Sequence, residues 1–238
     1  MNFDFEVLTS PAELTEFYNS VLVPSFPPGE LVALQEFLDA AQREFIHVIA
    51  AVSQDGIIAG AVGTTPTQEG VIMLLYLALR PGLRGAGVGG KLIDHAVAQW
   101  KQLYNPTFIL AEVEHPKYHL ASPEHGDPAA RLRFYARHGG QILNIPYFQP
   151  AIREDEPPVP ALMLLTLWVA PEAYVAADHV ISWPLRASLR RELIETCAPD
   201  FVPALRVEES LAGEVVRLWD ATDLDQVPVG VFDQDPAF

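Results

Sequence analysis

The stretch that decides the fold is Leu79-Arg80-Pro81-Gly82-Leu83-Arg84-Gly85-Ala86-Gly87-Val88-Gly89-Gly90-Lys91-Leu92. In it, a basic, glycine-rich turn follows the end of an apolar segment. Glycine adopts φ > 0 at little steric cost, so closely spaced glycines let consecutive backbone N–H groups approach one anion. Apolar residues after the glycines recur at helical spacing, and the positive end of that helix's dipole would face the same anion. The stretch therefore predicts a strand, a phosphate-binding turn and a helix, in that order.

Within this stretch, Arg84-x-x-Gly87-x-Gly89 resembles the acyl-CoA pyrophosphate loop of the GNAT family of N-acetyltransferases. The resemblance implies acetyl-CoA as the acyl-donor substrate and no metal. It also implies two sets of donor-binding residues. The pyrophosphate would be held by Arg84, Gly85, Gly87, Val88, Gly89 and Gly90, and the pantetheine arm by backbone groups near Leu77 and Leu79 on the strand Val71–Leu79. One of the latter amides would polarise the thioester carbonyl.

The same glycines permit a second interpretation. Gly85-x-Gly87-x-x-Gly90 satisfies the dinucleotide fingerprint, and Glu112 follows at about the 20-residue distance expected of a ribose-binding acid. In a dinucleotide fold the first glycine follows its strand directly, whereas here residues 80–84 intervene and supply two cations and a turn. No repeated βαβ pattern follows. The acyl-CoA interpretation is therefore favoured over a nicotinamide-dependent one, and over a structural turn with incidental glycines.

The composition predicts a globular chain. Its 238 residues are 50% hydrophobic, which is enough to bury a sizeable core. The longest apolar run, Val71–Leu79, is too short to cross a bilayer, and the amino terminus lacks the basic flank of a secretory signal. We therefore expect a cytoplasmic protein without a membrane partner. The lone cysteine, Cys197, excludes an internal disulfide and offers no zinc-finger spacing.

The charge distribution points to an anionic ligand in an acidic protein. The net charge of −16 argues against nucleic acid as a partner. Residues 1–79 contain one basic residue, Arg43, whereas residues 80–137 contain eight. This positive island fits the phosphates of CoA, and the acidic remainder fits either steering of a cationic acceptor or ordinary solubility. Whether the chain forms a homodimer stays open.

Turn and cap signals divide the first 169 residues into alternating elements. Ser10-Pro11-Ala12-Glu13 predicts a capped helix start, and Gln54-Asp55-Gly56 predicts a hairpin. Asp127-Pro128 begins a helix that Gly139-Gly140 ends. The predicted order is β-α-α-β-β-β-α-β-α-β-β, an α/β (α+β) fold with a mixed central sheet of about seven strands flanked by helices. This is the order of the GNAT family.

The resemblance covers residues 1–169, which we predict to be an acetyl-CoA-binding N-acetyltransferase domain. Residues 170–238 are predicted to form a helical C-terminal extension. Leucines at helical spacing favour helices over 184–197 and 208–219. The acidic tail, residues 220–238, ends the chain.

A second motif, Ala130-x-x-x-Phe134-Tyr135-x-x-x-Gly139, resembles the family's helix that ends in a tyrosine, three residues and a glycine. The resemblance implies that Tyr135 protonates the departing thiolate, the alternative being a tyrosine packed in the core. Two positions depart from the family pattern. Asp127-Pro128 takes the place of the asparagine at the helix start, and Gly140 takes the place of an aromatic residue.

Two glutamates are candidates for the remaining chemistry. Histone-acetylating members of the family carry a glutamate on the strand before the glycine loop, but residues 71–75 offer none. Leu110-Ala111-Glu112-Val113-Glu114 looks like the Leu-Glu-Val-Arg segment of ribosomal-protein-acetylating members. Side chains alternate along a strand, so Glu112 and Glu114 share a face. Glu112 is the candidate base or water-orienting group, and Glu114 would bind the acceptor's cation. The alternatives are two solvated carboxylates and a water chain without a dedicated base.

The polar loop His115–Gly126 is unusually long and lies where acceptor-binding loops lie in the family. His115, His119, Glu124 and His125 offer possible metal donors, but their spacing matches no familiar site. A solvated loop is the favoured interpretation, and no metal is predicted.

Together these features predict an acyl-CoA-dependent N-acetyltransferase. It would move an acetyl group from acetyl-CoA to a primary amine of a small molecule or a peptide amino terminus by direct attack. A catalytically silent CoA-binding sensor or interaction module of the same fold is the first alternative. An NAD-dependent oxidoreductase is the second, less favoured one.

Overall fold

A computed structural model describes residues 2–67, 70–83, 85–122, 126–143, 147–149, 159–176, 180–182 and 215–219. The chain forms two compact units. The first comprises Met1–Pro66, Gly70–Leu110 and Ser122–Gly126, and the second comprises Thr67–Glu69, Ala111–Ala121 and Asp127–Phe238.

The first unit is built on strands that follow one another in space as they do in sequence. They are β1 (Asp4–Leu8), β2 (Ile46–Ser53), β3 (Gly56–Thr64), β4 (Val71–Leu79) and the first residues of β5 (Phe108–Glu114). The pairs β1–β2, β2–β3 and β3–β4 are antiparallel. The connection from β4 to β5 runs through a helix, α3 (Val88–Tyr104), which is typical of parallel neighbours and makes the sheet mixed.

Helices cover both faces of β3. Between β1 and β2 the chain forms α1 (Pro11–Phe17), a π-helical turn (Tyr18–Leu22), a 3₁₀ turn (Pro28–Glu30) and α2 (Leu34–Gln42). Gly60 and Gly63 lie three residues apart on β3, so they face opposite sides. A Cβ on Gly60 would collide with the Phe17 ring of α1, and one on Gly63 would lie 2.6 Å from Cζ2 of Trp100 in α3. The two glycines thus let a large aromatic side chain pack closely on each face.

Local signals predicted these elements well. Ser10 caps α1, its hydroxyl accepting a hydrogen bond from the Glu13 amide at 3.3 Å. The hairpin turns at Gln54–Gly56, with Gly56 at φ +89°. The predicted strand Val71–Leu79 has the observed bounds, and the helix after the glycines begins at Val88. The predicted α/β class and element order are confirmed in this unit.

The second unit continues from β5 with α4 (Pro128–Arg137), β6 (Gln141–Leu143), β7 (Tyr147–Gln149) and β8 (Val159–Val169), followed by a 3₁₀ turn (Pro171–Ala173), β9 (Tyr174–Ala176), β10 (Val180–Ser182) and β11 (Val215–Trp219). Its strand order is β5-β8-β6-β11-β10-β9, and β7 pairs with β8. The predicted cap of α4 is confirmed, because the Asp127 carboxylate accepts a hydrogen bond from the Ala129 amide at 2.9 Å.

The structure corrects the prediction at three places in this unit. The first is that β9 and β10 are strands within the extension predicted to be helical. A short strand, β7, lies between the last two strands that the sequence predicts for the second unit. The antiparallel pairing of β7 with β8 supplies the hydrogen bonds that so short a segment lacks by itself. The helix predicted over 208–219 is wrong for its last five residues, which form β11 and pair with β6 and β10. β-branched Val215 and Val216 favour such a strand. The predicted helix 184–197 and the acidic tail lie outside the described residues, and the boundary at residue 169 stays a prediction.

Among the described residues, no helix combines the length and the apolar character needed to cross a membrane.

Candidate functional site

The glycine turn before α3 leaves backbone donors open. Gly85 and Gly87 have φ of +88° and +75°, and a Cβ built on either would meet nothing within 4 Å. Gly87 is the N-cap of α3, and among the described residues no side chain is hydrogen-bonded as a cap to the helix start. The first turn of this 17-residue helix carries no acidic residue. The first amides of the helix, those of Val88, Gly89 and Gly90, therefore carry positive partial charge directly behind the open positions of Gly85 and Gly87, as an anion site requires.

Of the two cations expected from the turn, Arg80 and Arg84, the structure describes only Arg80. Arg84 lies outside the described residues. Arg80 turns into the first unit, where its guanidinium donates to the Asp55 carbonyl at 3.1 Å and the Ser20 hydroxyl at 3.2 Å. It also forms an ion pair with Glu16 at 3.4 Å. Arg80 thus fastens the end of β4 to the hairpin turn and to α1, rather than supplying a charge to the glycine turn.

An irregularity in β4 lies just before the predicted pantetheine-binding residues. Val62 pairs with Tyr76 and Gly63 with Leu74, so Leu75 is an extra residue on β4. Leu75 is 45% exposed, within a strand whose first four residues are buried. Beyond this bulge, Leu77 and Leu79 pair with Ala61 and Ala59. β-bulges bend a strand and interrupt its pairing, which frees backbone groups for other partners.

In the second unit, Glu112 is held by two neutral donors from β7. The Tyr147 hydroxyl donates to Oε1 of Glu112, and Nε2 of Gln149 donates to Oε2 at 2.9 Å. Burial raises the pKa of the Glu112 carboxyl, and the two hydrogen bonds partly offset that rise. The predicted candidate base is thus a desolvated carboxylate with a defined orientation.

Glu114 has a cationic partner instead. Its Oε2 lies 3.0 Å from Nη1 of Arg131, which projects from α4. Its Oε1 lies 3.8 Å from Nδ1 of His119. The two glutamates do come from one face of β5, as predicted, but their partners differ: β7 holds Glu112, whereas α4 and the loop after β5 hold Glu114.

Tyr135 lies on α4 one turn after Arg131 and is only 7% exposed. Burial raises its pKa to about 12, and the charge of Arg131 opposes the rise. The phenol therefore keeps its proton throughout the neutral range. The missing aromatic residue after this helix has a steric reason, because a Cβ on Gly140 would lie 2.8 Å from the Tyr135 carbonyl oxygen. The Gly140 amide donates to that same oxygen at 2.8 Å.

The loop after β5 is anchored on β8. The backbone amide of His115 donates to the Ala161 carbonyl at 3.1 Å. Nε2 of His119 lies 2.9 Å from the Pro160 carbonyl, which can only accept, so this nitrogen carries a proton. Within the described part of the chain, no group of three or more His, Cys, Asp and Glu side chains is arranged to hold a metal. Glu124 and His125 lie outside that part.

Sequence reasoning missed the partners of the glutamates, Tyr147, Gln149 and Arg131. The signal for β7 is the alternation in Tyr147-Phe148-Gln149, where two hydrogen-bonding side chains stand two residues apart. Prolines at 146 and 150 obscured it, since proline is unfavourable within a strand.

The glycine turn, its helix and the strand order match a known domain. Residues 44–139 fit the family model for the acetyltransferase (GNAT) domain. These residues are similar to a GNAT acetyltransferase domain. This match runs from the start of β2 to the end of α4, so it includes the glycine turn, both glutamates and Tyr135.

Several solved structures are similar to this chain. One is a putative GNAT acetyltransferase from Bacteroides thetaiotaomicron, with a TM-score of 0.58 and 22% identity, covering 80% of this chain and 95% of the other. Another is a tandem GNAT protein of the clavulanic acid biosynthesis pathway, with a TM-score of 0.50, 15% identity and coverage of 62% and 46%. A Bacillus subtilis acetyltransferase in complex with CoA gives a TM-score of 0.48 at 17% identity, with coverage of 71% and 100%. The sequence has no significant match among curated proteins.

Proposed function

We propose that this GNAT protein transfers an acetyl group from acetyl-CoA to a primary amine, either of a small molecule or of a peptide amino terminus. The observation that carries the proposal is the start of α3, an uncapped helix N-terminus behind glycines with open space around them. A pyrophosphate is the anion that such a turn takes within a GNAT domain.

Donor binding uses backbone groups. The amides of Gly85, Gly87, Val88, Gly89 and Gly90 would hold the pyrophosphate, and Arg84 would add a charge-assisted contact. Leu77 and Leu79, which follow the bulge in β4, would hold the pantetheine arm and polarise the thioester carbonyl. Because backbone amides do not titrate, we expect donor affinity to change little across the neutral pH range.

The chemical step requires a neutral amine. Glu112 would take a proton from the acceptor's ammonium and pass it to solvent. The amine nitrogen then attacks the thioester carbon, a C–N bond forms, and the C–S bond breaks as the tetrahedral intermediate collapses. Tyr135 would give its proton to the leaving thiolate and regain one from the nitrogen through solvent. The balance is ammonium and acetyl-CoA giving the acetamide, CoA thiol and one released proton.

The electrostatics of the second unit support these roles. Tyr135 retains its proton at neutral pH, as an acid must, and the nearby charge of Arg131 favours the transient phenolate. Glu112 has the raised pKa that suits a base working closer to neutrality. The predicted role of Glu114 in binding the acceptor's cation would require its ion pair with Arg131 to open.

Thermal shift and turnover test the proposal together. Acetyl-CoA should raise the melting temperature of the protein and NADH should not, because only a ligand of the native state stabilises it. Turnover is then measured with a panel of primary amines and short peptides, by detection of free CoA thiol. Stabilisation by NADH instead of acetyl-CoA would overturn the proposal. Stabilisation by acetyl-CoA without any turnover would leave a CoA-binding module.

A further inference from the structure

We infer that the acceptor's ammonium group is recognised at Glu112, and that Tyr147 and Gln149 are positioning residues that aim this carboxylate at it. The inference rests on the proposed amine acetylation. It assigns the acceptor's cation to Glu112 rather than to Glu114, and it gives a role to β7.

The charge balance of the two glutamates carries the first half of the inference. Glu114 already has a cation, the Arg131 guanidinium at 3.0 Å. For Glu112 the described residues supply hydrogen bonds from a phenol and an amide, and no cation among them forms an ion pair with it. A desolvated carboxylate without a countercharge is costly. A substrate cation would supply the missing charge when it binds.

The geometry of β7 carries the second half. Tyr147 and Gln149 stand two residues apart, so their side chains leave the strand on one face. Each donates to a different oxygen of Glu112, which fixes the carboxylate's rotation about its last torsion. A carboxylate oxygen has two acceptor positions, so each oxygen keeps one for the ammonium. Tyr147 is buried, with 6% of its surface exposed, which restricts the rotamers that its side chain can adopt.

The register of β7 depends on an irregular step in β8. Tyr147 pairs with Leu162 and Gln149 with Val159, so β8 has one more residue than β7 over this span. Ala161, within that span, has φ of +57°, a left-handed conformation that is unfavourable for a non-glycine residue. In this register both donors of the short strand reach the Glu112 carboxylate.

Tyr147→Phe is the test, because it removes one hydroxyl and keeps the buried ring. Tyr174→Phe, at a 39% exposed tyrosine of the same unit, is the matched control. The Glu112 carboxyl is titrated by NMR in protein labelled with ¹³C-glutamate. The pH dependence of kcat/KM is measured with the panel amine that wild type turns over fastest, and acetyl-CoA affinity by calorimetry.

Tyr147→Phe should move the Glu112 titration, and with it the acidic limb of kcat/KM, to higher pH by roughly one unit, which is about tenfold in rate on that limb. KM for the amine should rise, while acetyl-CoA affinity stays at the wild-type value. Tyr174→Phe should change none of these. Gln149→Met should move the Glu112 titration and the acidic limb of kcat/KM in the same direction as Tyr147→Phe. If Tyr147→Phe does not fold, Gln149→Met provides the test of the inference.

The outcomes separate the inference from the proposed function. If wild type neither binds acetyl-CoA nor acetylates any amine, the proposed function fails and the inference fails with it. If wild type acetylates an amine but the titration and the acidic limb stay unmoved in both β7 variants, only the inference is overturned. If the Glu112 titration moves but the acidic limb of kcat/KM does not, the inference is also overturned. In that case β7 would orient Glu112 although Glu112 does not contact the acceptor.

Discussion

The glycine turn of the first unit and the glutamate pair of the second solve opposite electrostatic problems. The turn places backbone amides with positive partial charge at the start of α3, whereas β5 carries two partly buried carboxylates. Among the described residues, only Glu114 has a cation as its partner, and burial raises the pKa of Glu112. Backbone dipoles do not titrate, but side chains do. The proposed donor binding and proton transfer should therefore respond to different substitutions and differently to pH.

The largest effect should come from reversing the charge at the turn. Gly87→Glu puts a carboxylate at the N-cap of α3, where the pyrophosphate would bind. We expect acetyl-CoA affinity to fall by at least about 100-fold, or about 2.7 kcal/mol. Calorimetry measures the affinity, and circular dichroism checks the fold.

Gly82→Glu is the matched control for this variant. Gly82 also has positive φ, +85°, and open space around its Cβ position, so both variants bear the same backbone strain and the same added charge. Gly82 lies outside the loop pattern, and we expect its variant to bind acetyl-CoA within a few-fold of wild type. Equal losses at both positions would show that general charge, not the helix terminus, governs binding.

Tyr135→Phe should separate chemistry from donor binding. The ring is buried and remains, so the fold should survive. If the phenol is the acid for the thiolate, kcat falls by about 10²-fold while acetyl-CoA affinity changes little. Steady-state kinetics with acetyl-CoA and an acceptor amine that wild type turns over measures this, and an unchanged kcat would return Tyr135 to a packing role in the core.

Glu112→Gln should lower activity and raise stability together. Burial raises the pKa of Glu112, so the folded state binds this proton more tightly than the unfolded state, and the stabilisation is lost as pH rises through the folded pKa. The uncharged amide avoids that loss. We expect the free energy of unfolding at pH 8 to exceed that of wild type, with a difference that shrinks towards pH 4.

Activity in the same variant should drop by about 10-fold to 100-fold at neutral pH and recover partly at alkaline pH, where free amine is abundant. Glu114→Gln provides the contrast, since it removes the ion pair with Arg131 and should lower stability by about 0.5–1 kcal/mol. Urea unfolding at several pH values measures the stability of the Glu112→Gln and Glu114→Gln variants. A larger rise in the amine's KM for Glu114→Gln than for Glu112→Gln would place the acceptor's cation at Glu114.

The smallest effect should come from a buried polar pair of the first unit. Nδ1 of His47 accepts a hydrogen bond from Nε1 of Trp100 at 3.0 Å, and burial lowers the pKa of His47. The neutral imidazole therefore stabilises the fold above the unfolded pKa, near 6.5, and this stabilisation is lost as pH falls through the lower folded pKa. His47→Gln should reduce the dependence of unfolding free energy on pH below 6.5 by up to about 1 kcal/mol. Unfolding curves between pH 5 and pH 7 measure it, with acetyl-CoA affinity unchanged.

Much of the fold could be predicted because its signals are local. Ser10, the Asp55-Gly56 turn and Asp127 each act on groups within a few residues, and they placed α1, the β2–β3 hairpin and α4 correctly. Prediction was wrong where a segment depends on distant partners. β7 exists through its pairing with β8, and β11 through its pairing with β6 and β10. Leucine spacing alone cannot report such pairing, because the same residues fit a helix.

By itself, the sequence determined that glycines precede a helix at residue 88 and that Glu112 and Glu114 share one face of a strand, since both follow from steric rules of the backbone and from strand periodicity. Only the tertiary structure decided the surroundings of each glutamate. Arg131 lies 17 residues from Glu114, and Gln149 lies 37 residues from Glu112. The folded strands and helix place these partners, and the electrostatic energy of a carboxylate depends on what surrounds it in space rather than on its neighbours in sequence.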